Sequence, residues 1–238
     1  MSSIAAAPAT SSASPHAVAR FGTPPRVDVI GLAPDFVEYA DGLRLQAAAA
    51  ERVTRGADSG TLLLLEHSAV YTAGRRADRD EYPPDGTPVV PVDRGGRVTW
   101  HGPGQLVAYP IVRLRPGAGV VDLVRSLETA IIATLDALGV DGYRVEGRSG
   151  VWCDATAPAD PPAKVAQIGL HARAGVITHG LAINCSNDLA PFTQFVPCGI
   201  RDAGVTTISA LAGRTVRPAE VAPILYPLVI EAIAELIA

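Results

Sequence analysis

From about residue 25 the chain alternates between short apolar runs and stretches with helical period. Val27 to Leu32 predicts a first strand. Pro34 to Arg55 places Phe36, Tyr39, Leu43 and Ala47 at helical spacing and stops before Gly56, predicting a helix over that span. Thr61 to Glu66 is an unbroken apolar run between glycine and charge, as buried strands are. The polar segment 66–76 predicts a turn and a return, and a loop with Pro83, Pro84, Asp85 and Gly86 leads on to 88–92. Val121 to Leu138 carries Leu123, Leu127, Ile131, Leu135 and Leu138 on one face and ends at Gly139, predicting an amphipathic helix. Segments 164–171 and 175–184 predict a strand pair joined near Ala172 to Ala174. Pro218 opens a predicted last helix running to Ala238, where Pro223, Pro227, Glu231 and Glu235 argue against a membrane span. Strands with helices interspersed, several of them hairpin-joined, predict an α/β (α+β) fold. Its sheet is expected to be mixed and largely antiparallel with flanking helices, not doubly wound and parallel.

Composition narrows the class. A chain of 238 residues that is 48% hydrophobic can bury a full core, and 18% charged residues is too few for a disordered protein. Residues 1–24 are the exception: Ala, Ser, Pro and Thr with almost no charge predict a disordered tail, leaving 25–238 as one folded domain. The tail lacks the basic start and apolar core of a secretory signal, so a cytoplasmic location is expected. A net charge of -4 argues against general nucleic-acid binding. Arg75, Arg76, Arg79, Arg94 and Arg97 cluster, but Asp78, Asp80, Glu81, Asp85 and Asp93 are interleaved, so a basic docking face stays open as an expectation.

The candidate chemistry begins at residues 93–110. Gly95 and Gly96 open the stretch, Val98 and Trp100 alternate as in a strand, and His101-Gly-Pro-Gly104 breaks it before an apolar run from Leu106 to Val112. Strand, tight polar turn, strand is the economical reading, with Arg94, Arg97, His101 and Gln105 around the turn. That pattern fits a ligand-approaching turn and a plain glycine-rich hairpin alike. Only one lysine, Lys164, occurs among 20 basic residues. An ammonium can surrender a proton in a tuned setting and a guanidinium cannot, so Lys164 is either a chemical group or a chance surface residue.

The three cysteines, Cys153, Cys185 and Cys198, form neither a disulfide scaffold nor a paired metal knuckle. Buried packing is the default for each. Cys198, between proline and glycine, is the best candidate nucleophile. A free thiol is only about 3% thiolate at pH 7. An ammonium about 4 Å away, at an effective dielectric near 20, contributes about 4 kcal/mol, enough to activate it without a carboxylate. A zinc site from His179, Cys185 and Cys198 has no supporting spacing, and no metal is expected.

Arg-Gly-Gly-x-x-Thr-Trp-His-Gly-Pro-Gly-Gln at 94–105 resembles the signature of the lipoyl(octanoyl) transferases of lipoate biosynthesis. Similar in the same way are Gly-Arg-Ser-Gly-Val-Trp at 147–152, Lys-Val-Ala-x-Ile-Gly at 164–169, His-Gly-x-Ala-x-Asn at 179–184 and Pro-Cys-Gly-Ile at 197–200. The resemblance covers roughly residues 60–212 and implies the catalytic fold of the biotin and lipoate protein ligases. It implies Cys198 as acyl-accepting nucleophile and Lys164 as its acid/base partner. It also implies an acyl pocket from Arg94, Gly95, Gly96, Arg97, Val98, Thr99, Trp100 and His101, from Gln167, Ile168 and Gly169, and from Gly180, Leu181 and Ala182. Glycines 169 and 180 are expected to leave room for the acyl chain, with Ile168, Leu181 and Val107 lining it. The Pro/Ala-rich 154–162 insert and the long N-terminal tail depart from the family pattern outside its motifs, which leaves loop length and partner docking in doubt.

Octanoyl transfer from acyl carrier protein to a lipoyl-domain lysine is the implied reaction. The acceptors are lipoyl domains of 2-oxoacid dehydrogenase complexes and the glycine cleavage H protein. No cofactor is implied beyond the phosphopantetheine that carries the donor acyl group, and no membrane or nucleic acid takes part. The alternatives are an ATP-dependent lipoate or biotin protein ligase, a Cys-dependent hydrolase, and a non-catalytic acyl-binding module. At the ligases' usual Gly-Gly-Gly position this chain reads His-Gly-Pro-Gly. His101 is left with several roles: orienting Lys164, orienting substrate, or capping the turn.

Overall fold

The structure, a computed structural model, describes residues 23–154, 161–195 and 203–238. In chain order its elements begin with β1 (Arg26–Gly31), α1 (Tyr39–Thr54), β2 (Gly60–Leu65), β3 (Val70–Ala73), β4 (Val89–Pro91), β5 (Val98–His101) and β6 (Gln105–Val112). Then follow α2 (Val120–Asp136), β7 (Tyr143–Val145), β8 (Arg148–Cys153), β9 (Ala163–Arg173), β10 (Val176–Asn184), β11 (Gly204–Val205), α3 (Ile208–Ala212) and α4 (Pro218–Ile233). The expected tail enters the described residues only at Thr23 and Pro24, which are exposed and irregular.

The larger sheet runs β1-β2-β6-β10-β9-β8-β7, with β11 added to β9; the smaller runs β4-β3-β5. In the larger sheet only β1–β2 and β9–β11 are parallel, so the fold is mixed and largely antiparallel, as the patterning predicts. β2 and β6 are buried at every position, which is why they read as solid apolar runs and not alternating ones. Leu62 and Leu64 pack toward the Leu123, Leu127, Ile131 and Leu135 face of α2 and toward α4. Leu63 and Leu65 face the other way, into a cluster with Ala49 of α1, Val107 and Tyr109. The hairpin between β9 and β10 turns on Ala174 (φ 49°) and Gly175 (φ 76°), the handedness a two-residue connection requires.

Several expectations change. The first helix begins at Tyr39 instead of Pro34 and buries Tyr39, Gly42, Gln46, Ala49 and Val53. Phe36 lies outside it, Leu43 is half-buried and Ala47 is exposed. Tertiary contact sets this roll: a Cβ on Gly42 would come 2.7 Å from the His67 ring, so only glycine fits there. The last helix stops at Ile233, and the chain then turns so that Ala238 N–H donates to the Arg113 carbonyl at 2.9 Å.

The largest change is at His101-Gly-Pro-Gly104. Strand, turn and strand are present, but β5 and β6 do not pair: β5 joins β3 in the small sheet, and β6 lies between β2 and β10. The turn carries the chain from one sheet to the other. Distant groups satisfy it, since Gly104 (φ 86°) donates its N–H to Glu66 Oε2 at 2.7 Å and its carbonyl accepts from Cys185 and Ser186. Segment 66–76 likewise does not return to β2; β3 leaves for the small sheet.

Candidate functional site

Where the small sheet meets β6, β9 and β10, a cavity of about 250 Å³ opens. It is lined by Arg94, Gly95, Gly96, Arg97, Val98, Thr99 and His101 from one side, and by Lys164, Gln167, Ile168, Gly169, Gly180, Leu181 and Ala182 from the other. Tyr39, Arg76, Tyr109, Gly147, Arg148, Ser149 and His179 complete the wall. Trp100, also expected here, is not among the lining residues. Alternation along β5 sends its indole the other way, edge-on to Phe192 at 5.8 Å. Val107 packs in the core beside Leu65. Cys198 lies outside the described residues.

Lys164 is 5% exposed, with its Nζ 4.9 Å from the centre of the Trp152 ring. Among the described residues no carboxylate pairs with it. Two local devices place it. Trp152 is registered with Lys164 and Val151 with Ala166, so β9 carries an extra residue there, a bulge. In a regular strand Lys164 and Gln167, three apart, would face opposite sides; the bulge brings both to the cavity and leaves Val165 and Ala166 in the core. The second device is Gly150 (φ 101°): a Cβ there would overlap the Ala166 carbonyl and approach Lys164 Cε to 2.8 Å. Gly150 N–H donates to Glu128 Oε1 at 2.9 Å. Glu128, fully buried on α2, is held in turn by Arg125 at 2.7 Å and Arg144 at 3.0 Å.

His101 accounts for a second buried chain. Its Nδ1 lies 2.8 Å from Gln105 Oε1, Gln105 Nε2 donates to Asn184 Oδ1 at 2.9 Å, and Asn184 Nδ2 donates to the Thr206 carbonyl at 3.1 Å. Thr206 N–H then donates to the Lys164 carbonyl at 3.0 Å. With the Gln105 amide so oriented, His101 carries its proton on Nδ1. Burial, His67 and Arg94 push its pKa down to about 3. His67 beside it donates from Nδ1 to the Val37 carbonyl (2.8 Å) and accepts at Nε2 from the Tyr109 hydroxyl (2.8 Å). Burial lowers its pKa to about 4. Both rings are neutral.

His179 opens the His-Gly-x-Ala-x-Asn motif at 179–184 and was otherwise weighed only for a zinc site. Its φ of 58° is a strained backbone for a non-glycine residue. Gln46 Oε1 accepts its N–H at 2.7 Å and Asp93 Oδ1 lies 2.7 Å from its Nε2, while His171 reaches Asp93 Oδ2 at 3.4 Å. Among the described residues no group of three or more His, Cys, Asp or Glu side chains is gathered for a metal. Cys153 and Cys185 are buried, and burial raises both thiols to about 12, so they pack as the default reading has it.

The glycines do something other than widen the pocket. A Cβ on Gly180 would overlap the Ala108 carbonyl of β6, and one on Gly169 would lie 3.1 Å from the Gly95 carbonyl. Both allow close approach of protein backbone, and both also line the cavity. The arginine cluster is partly neutralised: Arg97 pairs with Glu81 and, at 3.4 Å, with Asp78, while Arg75 and Arg76 are exposed.

Residues 38–227 match the model of the lipoyl protein ligase A/B catalytic domain. An octanoyltransferase of Clavibacter sepedonicus is 53% identical over 212 residues, which is 87% of this chain and 91% of that one. The chain belongs to the octanoyltransferases of the lipoyl protein ligase A/B family. It is therefore an enzyme, a transferase. A lipoate-protein ligase A crystallised with ATP shares the fold at 17% identity and a TM-score of 0.63, over 89% of this chain and 86% of its own. A biotin protein ligase from Aquifex aeolicus, in complex with biotin and ATP, does so at 14% and 0.54, over 88% and 72%. Among the described residues of this octanoyltransferase-family chain no helix is long and apolar enough to cross a membrane.

Proposed function

We propose that this chain transfers an octanoyl group from octanoyl-acyl carrier protein to a lysine of a lipoyl domain, through a thioester on Cys198. The acceptors are the lipoyl domains of 2-oxoacid dehydrogenase complexes and the glycine cleavage H protein, in the cytoplasm, and the pantetheine arm brings the only prosthetic group needed. The observation that carries the reading is Lys164. Its ammonium is buried against an indole face with no carboxylate beside it among the described residues, a setting that calls for an anion. β9 pairs at Lys164 with Val205 of β11, and Cys198 precedes Val205 in sequence by one short segment.

In this reading the Lys164 ammonium holds Cys198 as thiolate. The thiolate attacks the octanoyl thioester, and the departing pantetheine thiolate takes the Lys164 proton. The resulting amine then accepts the proton of the attacking lysine, while the Cys198 thiolate leaves and the ammonium is restored. One residue serves both half-reactions. His101 does not exchange protons in this scheme; neutral and tied to Gln105, it is a positioning residue at the end of the hydrogen-bond chain that reaches the Lys164 carbonyl.

Intact mass of the protein after incubation with octanoyl-acyl carrier protein, without ATP, tests the reading. Wild type gains one octanoyl group, which a lipoyl domain or hydroxylamine removes, and Cys198→Ser gains none. An adduct that persists on Cys198→Ser moves the nucleophile elsewhere. Transfer that appears only with ATP makes the chain a ligase.

A further inference from the structure

Gln167 stands out among the cavity residues. It is 8% exposed, and neither its Oε1 nor its Nε2 has a hydrogen-bond partner among the described residues. Other buried side chains leave one polar atom unmet, such as Trp152 Nε1 or Gln46 Nε2, but Gln167 leaves both ends of a carboxamide unmet at the wall of the site. The position gains nothing for the fold: Val165 and Ala166 beside it fill the core, and an unpaired buried amide is a cost. The β9 bulge that turns Lys164 toward the cavity turns Gln167 there too, so the amide and the Lys164 side chain line one cavity.

We propose that Gln167 is a catalytic residue whose Nε2–H donates to the octanoyl carbonyl oxygen, an inference that rests on the octanoyltransferase reading. When the attacking sulfur forms its bond to the carbonyl carbon, the C=O π pair moves onto oxygen, and that oxyanion accepts from Gln167. Collapse restores the C=O and expels the pantetheine sulfur with the Lys164 proton. The same oxygen becomes anionic again when the acceptor amine adds, so one donor serves both steps. A side-chain amide aimed at a developing oxyanion is a recognised means of transition-state stabilisation.

Gln167→Leu, similar in size and without polar atoms, separates this role from a structural one. The expected result is a fall in kcat of roughly 100- to 1,000-fold with KM little changed. Thermal unfolding should meanwhile move up by roughly 2–4 °C, because an unmet buried amide is gone. Gln167→Glu, which loses the N–H donors, should fall at least as far, and Gln167→Asn should recover part of the rate. A wild-type kcat in Gln167→Leu overturns the proposal, as does a defect confined to KM, or a lost rate accompanied by a lower unfolding temperature. If wild type itself forms no octanoyl adduct without ATP, the thioester reading fails and the Gln167 role with it. A normal wild type beside an unaffected Gln167→Leu sinks the Gln167 role alone.

Discussion

At the residue scale two buried histidines, His67 and His101, stand out as groups held neutral by their surroundings. Burial holds their pKa values at about 4 and about 3, against about 6.5 in an unfolded chain. Between pH 6.5 and 4 the unfolded chain therefore binds more protons than the folded one, and stability falls as pH falls through that window. Each histidine contributes a slope of about 1.4 kcal/mol per pH unit. Urea unfolding at pH 7, 6, 5 and 4.5 should show this slope, and His67→Gln should flatten it by about one proton; an unchanged slope would mean that folded His67 already carries a second proton. In the proposed mechanism Lys164 gives up and regains a proton. Lys164→Arg keeps the positive charge yet removes a group able to give up its proton, so turnover should drop by roughly 100-fold or more. The same variant should still unfold cooperatively, as far-UV circular dichroism would report.

At the element scale the site depends on backbone irregularities. The β9 bulge, the positive φ of Gly150 and the missing Cβ of Gly180 are each fixed by a neighbouring strand. Gly180→Ala should cost about 3 kcal/mol or more, since the added carbon meets the Ala108 carbonyl, a main-chain atom that cannot turn aside. Guanidinium-induced unfolding measures it; a loss under 1 kcal/mol would show that β6 and β10 can separate there. Glu128→Leu should cost about 1–3 kcal/mol and slow acyl transfer, because Gly150 N–H loses its acceptor behind Lys164. These features also mark what the sequence can disclose. The leucine stripe of α2 and the 164–184 strand pair are local patterns and were legible. The Arg-Gly-Gly and Gln-Ile-Gly segments were singled out through the family resemblance, and both line the cavity. Gln46, Glu66, Asp93 and Glu128 were not, since each acts on a residue tens of positions away and looks like an ordinary polar residue in its own helix or loop. The roll of α1 was misread for the same reason: a glycine over His67 outweighed the apolar spacing.

At the scale of the whole molecule the cavity is a seam. β5 and the 94–97 loop supply one wall and β9 and β10 the other, yet few main-chain bonds cross between the sheets; Gly95 N–H to the Leu170 carbonyl, at 2.9 Å, is one. In the proposed reaction an acyl chain in the seam would meet the 94–97 loop on one side and Ile168 and Leu181 on the other, adding contacts between the two sheets. Occupancy should therefore stabilise the molecule as a unit. Octanoic acid at about 100 times its Kd adds about 2.7 kcal/mol. For a chain of this size that corresponds to a rise in Tm of roughly 5–11 °C. Hydrogen exchange should slow in β5 and in β9 together, because the ligand couples the sheets instead of bracing one of them. Protection confined to β9 and β10 would mean that the chain lies along the large sheet alone.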